Sequence, residues 1–133
     1  MNRTRYFLGL SAGVILVLIA LMHSLIGWQA AKPEFVQAGL RANLLQGLLI
    51  NWHFGGVGTL TLGVVVLILV VQMRRGGPQA LSFLPLGLIG CAYIAYGAWA
   101  LVVADMNPFF CMFIVPGLLL VLSSVSFSQP QDK

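Results

Sequence analysis

Residues 6–28 read YFLGLSAGVILVLIALMHSLIGW, and this stretch contains no Asp, Glu, Lys or Arg. Since a helix rises about 1.5 Å per residue, a stretch of this length can cross the roughly 30 Å hydrocarbon core of a bilayer. Basic residues precede it, as they precede a signal peptide, but Trp28 and Gln29 stand where a cleavage site would need small residues. We therefore expect a transmembrane helix that is retained.

Three further apolar runs follow the first one. Apolar residues make up 59% of the chain and charged residues only 8%, whereas about a quarter of the residues in soluble proteins are charged. The sequence thus predicts an all-α membrane protein, an antiparallel four-helix transmembrane bundle that forms a single domain over residues 1–133. The predicted helices cover about 6–28, 44–73, 80–104 and 109–127.

The only long connection lies between the first two runs, at residues 33–43. Phe35, Val36 and Leu40 recur there at near-helical spacing among polar residues, and Pro33 can begin a helix. This pattern predicts a short interfacial helix on the outer side of the membrane. An ordinary ordered loop is the alternative.

Basic residues favour one side of the predicted bundle. With four crossings, the side that holds both termini carries Arg3, Arg5, Arg74, Arg75 and Lys133, and the opposite side carries Lys32 and Arg41. Because Lys and Arg mark the cytoplasmic side, we expect a multi-pass protein of the bacterial inner membrane with both termini cytoplasmic. The scattered charges form no patch for nucleic acid.

Small residues follow one another at helical spacing in three of the runs. Such stripes let helix backbones approach closely in a membrane, where hydrophobic exclusion gives no driving force. They fit either packing within the bundle or dimerisation. The stripes are Gly9 and Gly13; Gly55, Thr59 and Gly63; and Gly87, Gly90, Cys91, Ala95 and Ala98.

Several enzyme classes lack their necessary residues in this chain. It contains no G-x-S-x-G, HExxH, phosphate-loop or CxxC motif, and its only acids, Glu34, Asp105 and Asp132, lie outside the predicted transmembrane helices. The small multidrug transporters also have four helices, but they carry a glutamate within the first one. The residues therefore favour a protein that is not an enzyme.

Polar side chains collect at the outer ends of the predicted helices, and burying polar groups in a membrane is costly. Such a cluster is the best candidate for a ligand-binding site, with a lipid or quinone headgroup as the ligand. The candidate residues are His23, Asn51, Trp52, His53, Tyr96 and Trp99.

Three other interpretations of the outer cluster remain open. His23 and His53 fall at similar depth on adjacent helices, so they could act as metal ligands and hold haem b between them. A Cu(I) site would add the sulfur ligands Met22, Met106, Cys111 and Met112. Alternatively, the polar groups satisfy one another, and Trp28, Trp52 and Trp99 form an interfacial belt.

The pattern His23-x-x-x-Gly27, followed by Trp52-His53 in a second span, resembles small uncharacterised bacterial four-helix inner-membrane proteins. The resemblance covers the first half of the chain and implies no activity. Our leading prediction is a membrane protein that binds a small ligand or a partner subunit at its outer face. A haem b redox protein and a small oligomeric transporter or channel are the alternatives.

Overall fold

The computed structural model describes residues 1–75 and 83–125, and these residues are almost entirely helical. Within these two ranges no strand occurs, so the prediction of an all-α chain is confirmed for them. The elements are α1 (Arg3–Met22), a π-helical turn (His23–Gly27), α2 (Trp28–Gln37), α3 (Ala42–Arg75), α4 (Leu84–Val103), a 3-10 turn (Pro108–Phe110) and α5 (Cys111–Ser124).

Three continuous helical stretches are long and apolar enough to cross a membrane. They are Arg3–Gln37, Ala42–Arg75 and Leu84–Val103. A shorter apolar helical stretch covers Pro108–Ser124, at the position of the predicted fourth run. The ends of two predicted runs, residues 80–82 and 126–127, lie outside the described residues.

The connection after α1 differs from the sequence prediction. The helix does not stop at Trp28 but continues through the π-helical turn into α2, and Pro33 lies inside α2 instead of beginning a separate helix. A proline removes one backbone donor, which a helix tolerates at the cost of one hydrogen bond.

A glycine ends α2. Gly39 has φ +73°, its N–H donates to the Val36 carbonyl, and the Leu40 N–H donates to the Phe35 carbonyl. These two bonds form a Schellman motif, in which the residue with positive φ is usually glycine. The predicted 33–43 helix is therefore divided between the end of α2, a turn and the start of α3.

Helices α1 and α3 pack through glycines. A methyl group at Gly9 would lie 2.7 Å from Val70, and one at Gly13 would lie 2.7 Å from Leu67. A methyl group at Gly63 would lie 3.0 Å from Val17. Residue numbers in these contacts rise along α1 as they fall along α3. Gly9, Gly13 and Gly63 of the predicted small stripes thus serve packing within the chain, while Gly55 is exposed.

Helices α4 and α5 approach even more closely. A methyl group at Gly90 would lie 2.7 Å from the Gly117 carbonyl oxygen, and one at Gly97 would lie 2.6 Å from Ile114. The third predicted stripe divides accordingly: its glycines face α5, while Cys91, Ala95 and Ala98 are exposed. Only tertiary packing separates these two halves of the stripe.

One fully buried side chain from each long helix fills the centre of the fold. These are Leu16, Val66, Leu86 and Leu120, from α1, α3, α4 and α5 respectively. Helices α3 and α4 meet at Tyr93, which is buried in this core beside Thr59.

The end of the fold where α1 begins, here called the Arg5 end, is closed by a buried cation. Arg5 is 8% exposed. Its Nε donates to the Ser123 carbonyl at 2.7 Å and its Nη2 to the Ser124 carbonyl at 2.9 Å. The guanidinium carbon lies 3.7 Å from the centroid of the Phe83 ring. Arg5 thus joins the first turn of α1 to the last turn of α5 and the start of α4.

The helices differ greatly in length. The stretch Arg3–Gln37 has 35 residues and α3 has 34, which corresponds to about 52 Å and 51 Å at 1.5 Å per residue. Helix α4 has 20 residues, or about 30 Å. Because Arg5 holds α1, α4 and α5 level at the Arg5 end, the excess length lies at the opposite end, here called the His23 end. We name α2 and residues 42–51 the helical extension.

Candidate functional site

The candidate site lies at the His23 end, where a π-helical turn interrupts the regular helix. His23 is the first residue of that turn, and its backbone N–H donates to the carbonyls of Ala20 and Ile19. A π-helical turn accommodates one extra residue and re-aims the side chains around it, and such turns are frequent at functional sites. Here the turn presents His23 to α3.

His23 and Trp52 form a reciprocal pair between α1 and α3. The indole Nε1 of Trp52 donates to the His23 carbonyl at 2.7 Å, and the imidazole Nε2 of His23 lies 3.1 Å from the Trp52 carbonyl oxygen. The two rings stack at 4.5 Å between centroids with an interplanar angle of 3°. A carbonyl oxygen only accepts hydrogen bonds, so the His23 Nε2 carries the hydrogen and donates it.

Trp28 completes the cluster. Its ring packs edge to face on Trp52 at 6.0 Å and lies 6.5 Å from His53 and 6.2 Å from Phe35. Trp28 is 6% exposed, so it packs inward and does not project as an interfacial anchor. The predicted site residues His23, Trp52 and His53 are therefore brought together, and sequence reasoning gave Trp28 too small a role.

Gly27 makes this arrangement sterically feasible. A methyl group there would lie 3.1 Å from the Trp52 ring, which is tighter than ordinary van der Waals contact. The indole therefore lies directly against the backbone of the π-helical turn. The spacing His23-x-x-x-Gly27 matters because its first residue stacks on Trp52 and its last leaves room for the same ring.

The geometry of His23 bears on the haem and metal hypotheses. With a hydrogen on Nε2, that nitrogen offers no lone pair to iron, and the ring face is covered by Trp52. Haem ligation through Nε2 would require His23 to leave both contacts. Among residues 1–75 and 83–125, no three His, Cys, Asp or Glu side chains come together as a metal-binding set. Of the proposed sulfur ligands, Met22, Met106 and Cys111 are exposed.

Tyr96 and Trp99 belong to a second aromatic cluster. Their rings lie 5.8 Å apart on α4, and Tyr96 packs edge to face on Phe113 of α5 at 5.0 Å. Within the described part of the chain, no ring contact links this cluster to the one around Trp52. The predicted six-residue site is therefore split between two helix pairs.

Asn51 lies apart from both clusters, on a shallow groove of about 370 Å³ along the helical extension. Asn43 and Asn51 flank Gly47 there at intervals of four residues, and neither carboxamide hydrogen-bonds to another described residue. Sequence reasoning missed Asn43 and Gly47, although their spacing was a readable signal. The other lining residues are Leu40, Leu44 and Leu48.

The His23–Trp52 pair gives a testable prediction for stability. Trp52→Phe keeps an aromatic ring but removes the indole donor, so the His23 carbonyl loses its partner. We expect the free energy of unfolding to fall by about 1 kcal/mol, the usual worth of one such bond. Titration with denaturing detergent, followed by circular dichroism, measures this change. The exposed Trp99 makes no comparable bond, so Trp99→Phe is the control, and equal effects of both variants would contradict the assignment.

Comparison with family models, with curated proteins and with solved structures finds no match to this chain. The site consists of a hydrogen-bonded His23–Trp52 pair, which holds α1 against α3, and of a separate groove along the helical extension that is lined by two exposed carboxamides.

Proposed function

We propose that this chain is a bacterial inner-membrane protein whose four helices cross the bilayer in antiparallel order with both termini cytoplasmic. Support comes from the three apolar stretches of spanning length and from the opposed residue order in the contacts of α1 with α3 and of α4 with α5. The cations Arg3, Arg5, Arg74 and Arg75 gather at the Arg5 end, which the positive-inside rule assigns to the cytoplasm.

Helix α5 is the shortest proposed crossing. Its 14 residues and the preceding 3-10 turn of 3 residues together span about 27 Å, using rises of 1.5 and 2.0 Å per residue. This length nearly matches the hydrocarbon thickness. A crossing at α4 and α5 leaves the helical extension above the hydrocarbon, on the periplasmic side.

The function that we propose is non-enzymatic: the extension docks a partner subunit of a membrane assembly. The groove along Asn43, Gly47 and Asn51 carries this proposal, because it combines apolar side chains, among them the exposed Leu44, with two carboxamides that have no partner within the described residues. Carboxamides and small residues are typical of helix–helix contacts in and near membranes.

The shape of the groove decides between a partner and a small ligand. Sites for small molecules enclose most of the ligand surface, whereas this groove is shallow and runs along one helix. A quinone headgroup would stay largely uncovered there, and the groove is lined by no charged side chain that could hold an anionic lipid headgroup. A helix of a partner can instead lie along the groove and place its own small residues against Gly47, where the surroundings are open.

The His23–Trp52 pair supports this function indirectly. It lies where the extension leaves the bundle. There it joins the end of α1 to α3 through two hydrogen bonds and a ring stack. A groove on a rigid element loses less conformational entropy on binding than one on a mobile loop. The pair therefore positions the groove without contacting the partner.

Photocrosslinking in intact cells tests the docking proposal. A photoreactive amino acid at Leu44, which lines the groove and is 50% exposed, should give one dominant adduct that mass spectrometry identifies. The same probe at Val36, which is 55% exposed on α2 and outside the groove, should not. An adduct with a second copy would identify the partner as this same chain.

Two glycines supply the matched variants. Both Gly47 and Gly58 have open surroundings, where an added Cβ atom meets no neighbour within 4 Å. Gly47→Phe fills the groove and should abolish the Leu44 adduct, while Gly58→Phe should preserve it. Equal adducts from Leu44 and Val36, or an adduct that survives Gly47→Phe, would refute docking in the groove.

A Soret band lost in both His23→Ala and His53→Ala would instead favour the haem b alternative. Flux through proteoliposomes would favour the transporter alternative.

A further inference from the structure

A second groove lies at the other end of the molecule, on the surface shared by α1 and α5. It has a volume of about 410 Å³ and lies at the Arg5 end, remote from the helical extension. It is lined by Arg3, Thr4, Phe7, Leu8, Ser11 and Leu119. One cation and two hydroxyls thus share a groove with three apolar side chains.

The hydroxyls in this groove lack the hydrogen bonds that several other helix hydroxyls make within their own helix. Thr61, Ser123 and Ser124 each donate to a carbonyl of the preceding turn. Thr4 and Ser11 make no hydrogen bond to any other described residue. The Thr4 and Ser11 hydroxyls are therefore available to hydrogen-bond a molecule outside the protein.

Charge and depth indicate what occupies the groove. Arg3 is exposed, and its guanidinium carbon lies 5.7 Å from the Phe7 ring centroid, so that ring orients it at the groove mouth. Arg74 and Arg75 lie at the same end, and among the described residues the acids Glu34 and Asp105 belong to the opposite end. Ser11 follows Arg3 by eight positions, which places it about 12 Å deeper along the helix.

The apolar half of the groove opens toward the region that the bilayer would occupy. Phe7 is 50% exposed, and Leu8 and Leu119 are half-buried beside it. A phosphate would meet Arg3 at the surface, ester oxygens would meet hydroxyls deeper in the groove, and acyl chains would follow the apolar wall. A free phosphate ion would contact Arg3 but would use neither the deeper hydroxyls nor the apolar wall.

We propose that this groove binds one anionic phospholipid of the cytoplasmic leaflet. Arg3 and Thr4 contact the phosphate, Ser11 donates to an ester carbonyl, and the acyl chains pack on Phe7 and Leu119. Basic pockets between helices on the cytoplasmic side are a general mode of lipid recognition. The proposal rests on the transmembrane arrangement proposed above, and it is independent of docking at the extension.

Native mass spectrometry of the full chain in detergent tests the proposal. Phosphatidylglycerol and phosphatidylcholine with identical acyl chains are added in parallel. We expect one phosphatidylglycerol to be retained with at least about fivefold preference over phosphatidylcholine, the preference that one basic residue near the surface typically provides. Arg3→Gln should reduce the preference to about twofold or less. Added inorganic phosphate should not displace the lipid.

A neighbouring arginine provides the control. Arg75→Gln removes the same charge from the same end but does not line the groove, so it should leave the preference unchanged. Equal retention of both lipids, equal loss in Arg3→Gln and Arg75→Gln, or displacement by phosphate would each overturn the proposal. Such a result would leave the transmembrane arrangement intact, because failed membrane insertion is a separate outcome that cysteine labelling of the two sides detects.

Discussion

Replacing Arg5 by alanine is expected to lower the free energy of unfolding by about 3 kcal/mol, because hydrogen bonds from a charged donor contribute about 1.5–3 kcal/mol each. The variant loses the bonds to the Ser123 and Ser124 carbonyls and the contact with Phe83. The last carbonyls of a helix have no intrahelical donor, so in the variant the Ser123 and Ser124 carbonyls lose the donors that Arg5 supplies from α1. Titration of the purified protein with denaturing detergent measures the loss.

Two further variants separate geometry from charge. Arg5→Lys retains a positive charge at the end of α5, where the helix dipole favours one. An ammonium group, however, lacks the planar fork of donors with which the guanidinium reaches two carbonyls at once. It should recover about half of the lost stability. Arg3→Ala removes an exposed arginine from the same turn and should change stability by less than about 0.5 kcal/mol. If Arg3→Ala destabilised the protein as much as Arg5→Ala, the loss would come from net charge and the proposed role of Arg5 would be wrong.

A single methyl group between α4 and α5 is expected to have the second large effect. In Gly117→Ala the new methyl would lie 2.8 Å from the Gly90 carbonyl oxygen and 3.0 Å from the Ile94 nitrogen. Both atoms belong to helix backbone, so the helices must separate to relieve the contact. We expect the free energy of unfolding to fall by about 2 kcal/mol, within the usual cost of overpacking. The same detergent titration applies.

The reciprocal variant Gly90→Ala should cost about as much as Gly117→Ala, since its methyl meets the Gly117 carbonyl. The double variant should cost less than the sum, because both substitutions relieve strain by the same helix separation. Gly58→Ala is the control: its surroundings are open, and alanine has the higher helix propensity, worth up to about 1 kcal/mol. If Gly117→Ala were as stable as Gly58→Ala, the close approach of α4 and α5 would be refuted.

These two predictions concern different kinds of contact, both of which involve α5. Arg5 joins α1 to the end of α5 through directional bonds to carbonyls of its last turn. Gly90 and Gly117 allow the two backbones to touch midway along the pair. Together they hold α4 and α5 to α1, so that the extension is formed only by the two longer stretches, Arg3–Gln37 and α3.

The sequence by itself determined that the described residues are helical and that most of the helices are long and apolar enough for a bilayer. Those properties follow from composition and run length, because hydrocarbon offers no hydrogen bonds to an unpaired backbone. It also identified His23, Trp52 and His53 as residues near one another in depth, since depth follows from counting residues along a helix at a fixed rise.

Only the tertiary structure decided which side chains face one another. Counting gives depth but not rotation about the helix axis, and the π-helical turn at His23–Gly27 shifts that rotation midway. It directs His23 onto Trp52, while Tyr96, at a depth that had suggested the same site, packs on Phe113 of α5 and on Trp99 of its own helix. Arg5 illustrates the same point, because its sequence position indicates a topology signal, and only folding brings the last carbonyls of α5 within reach of its side chain.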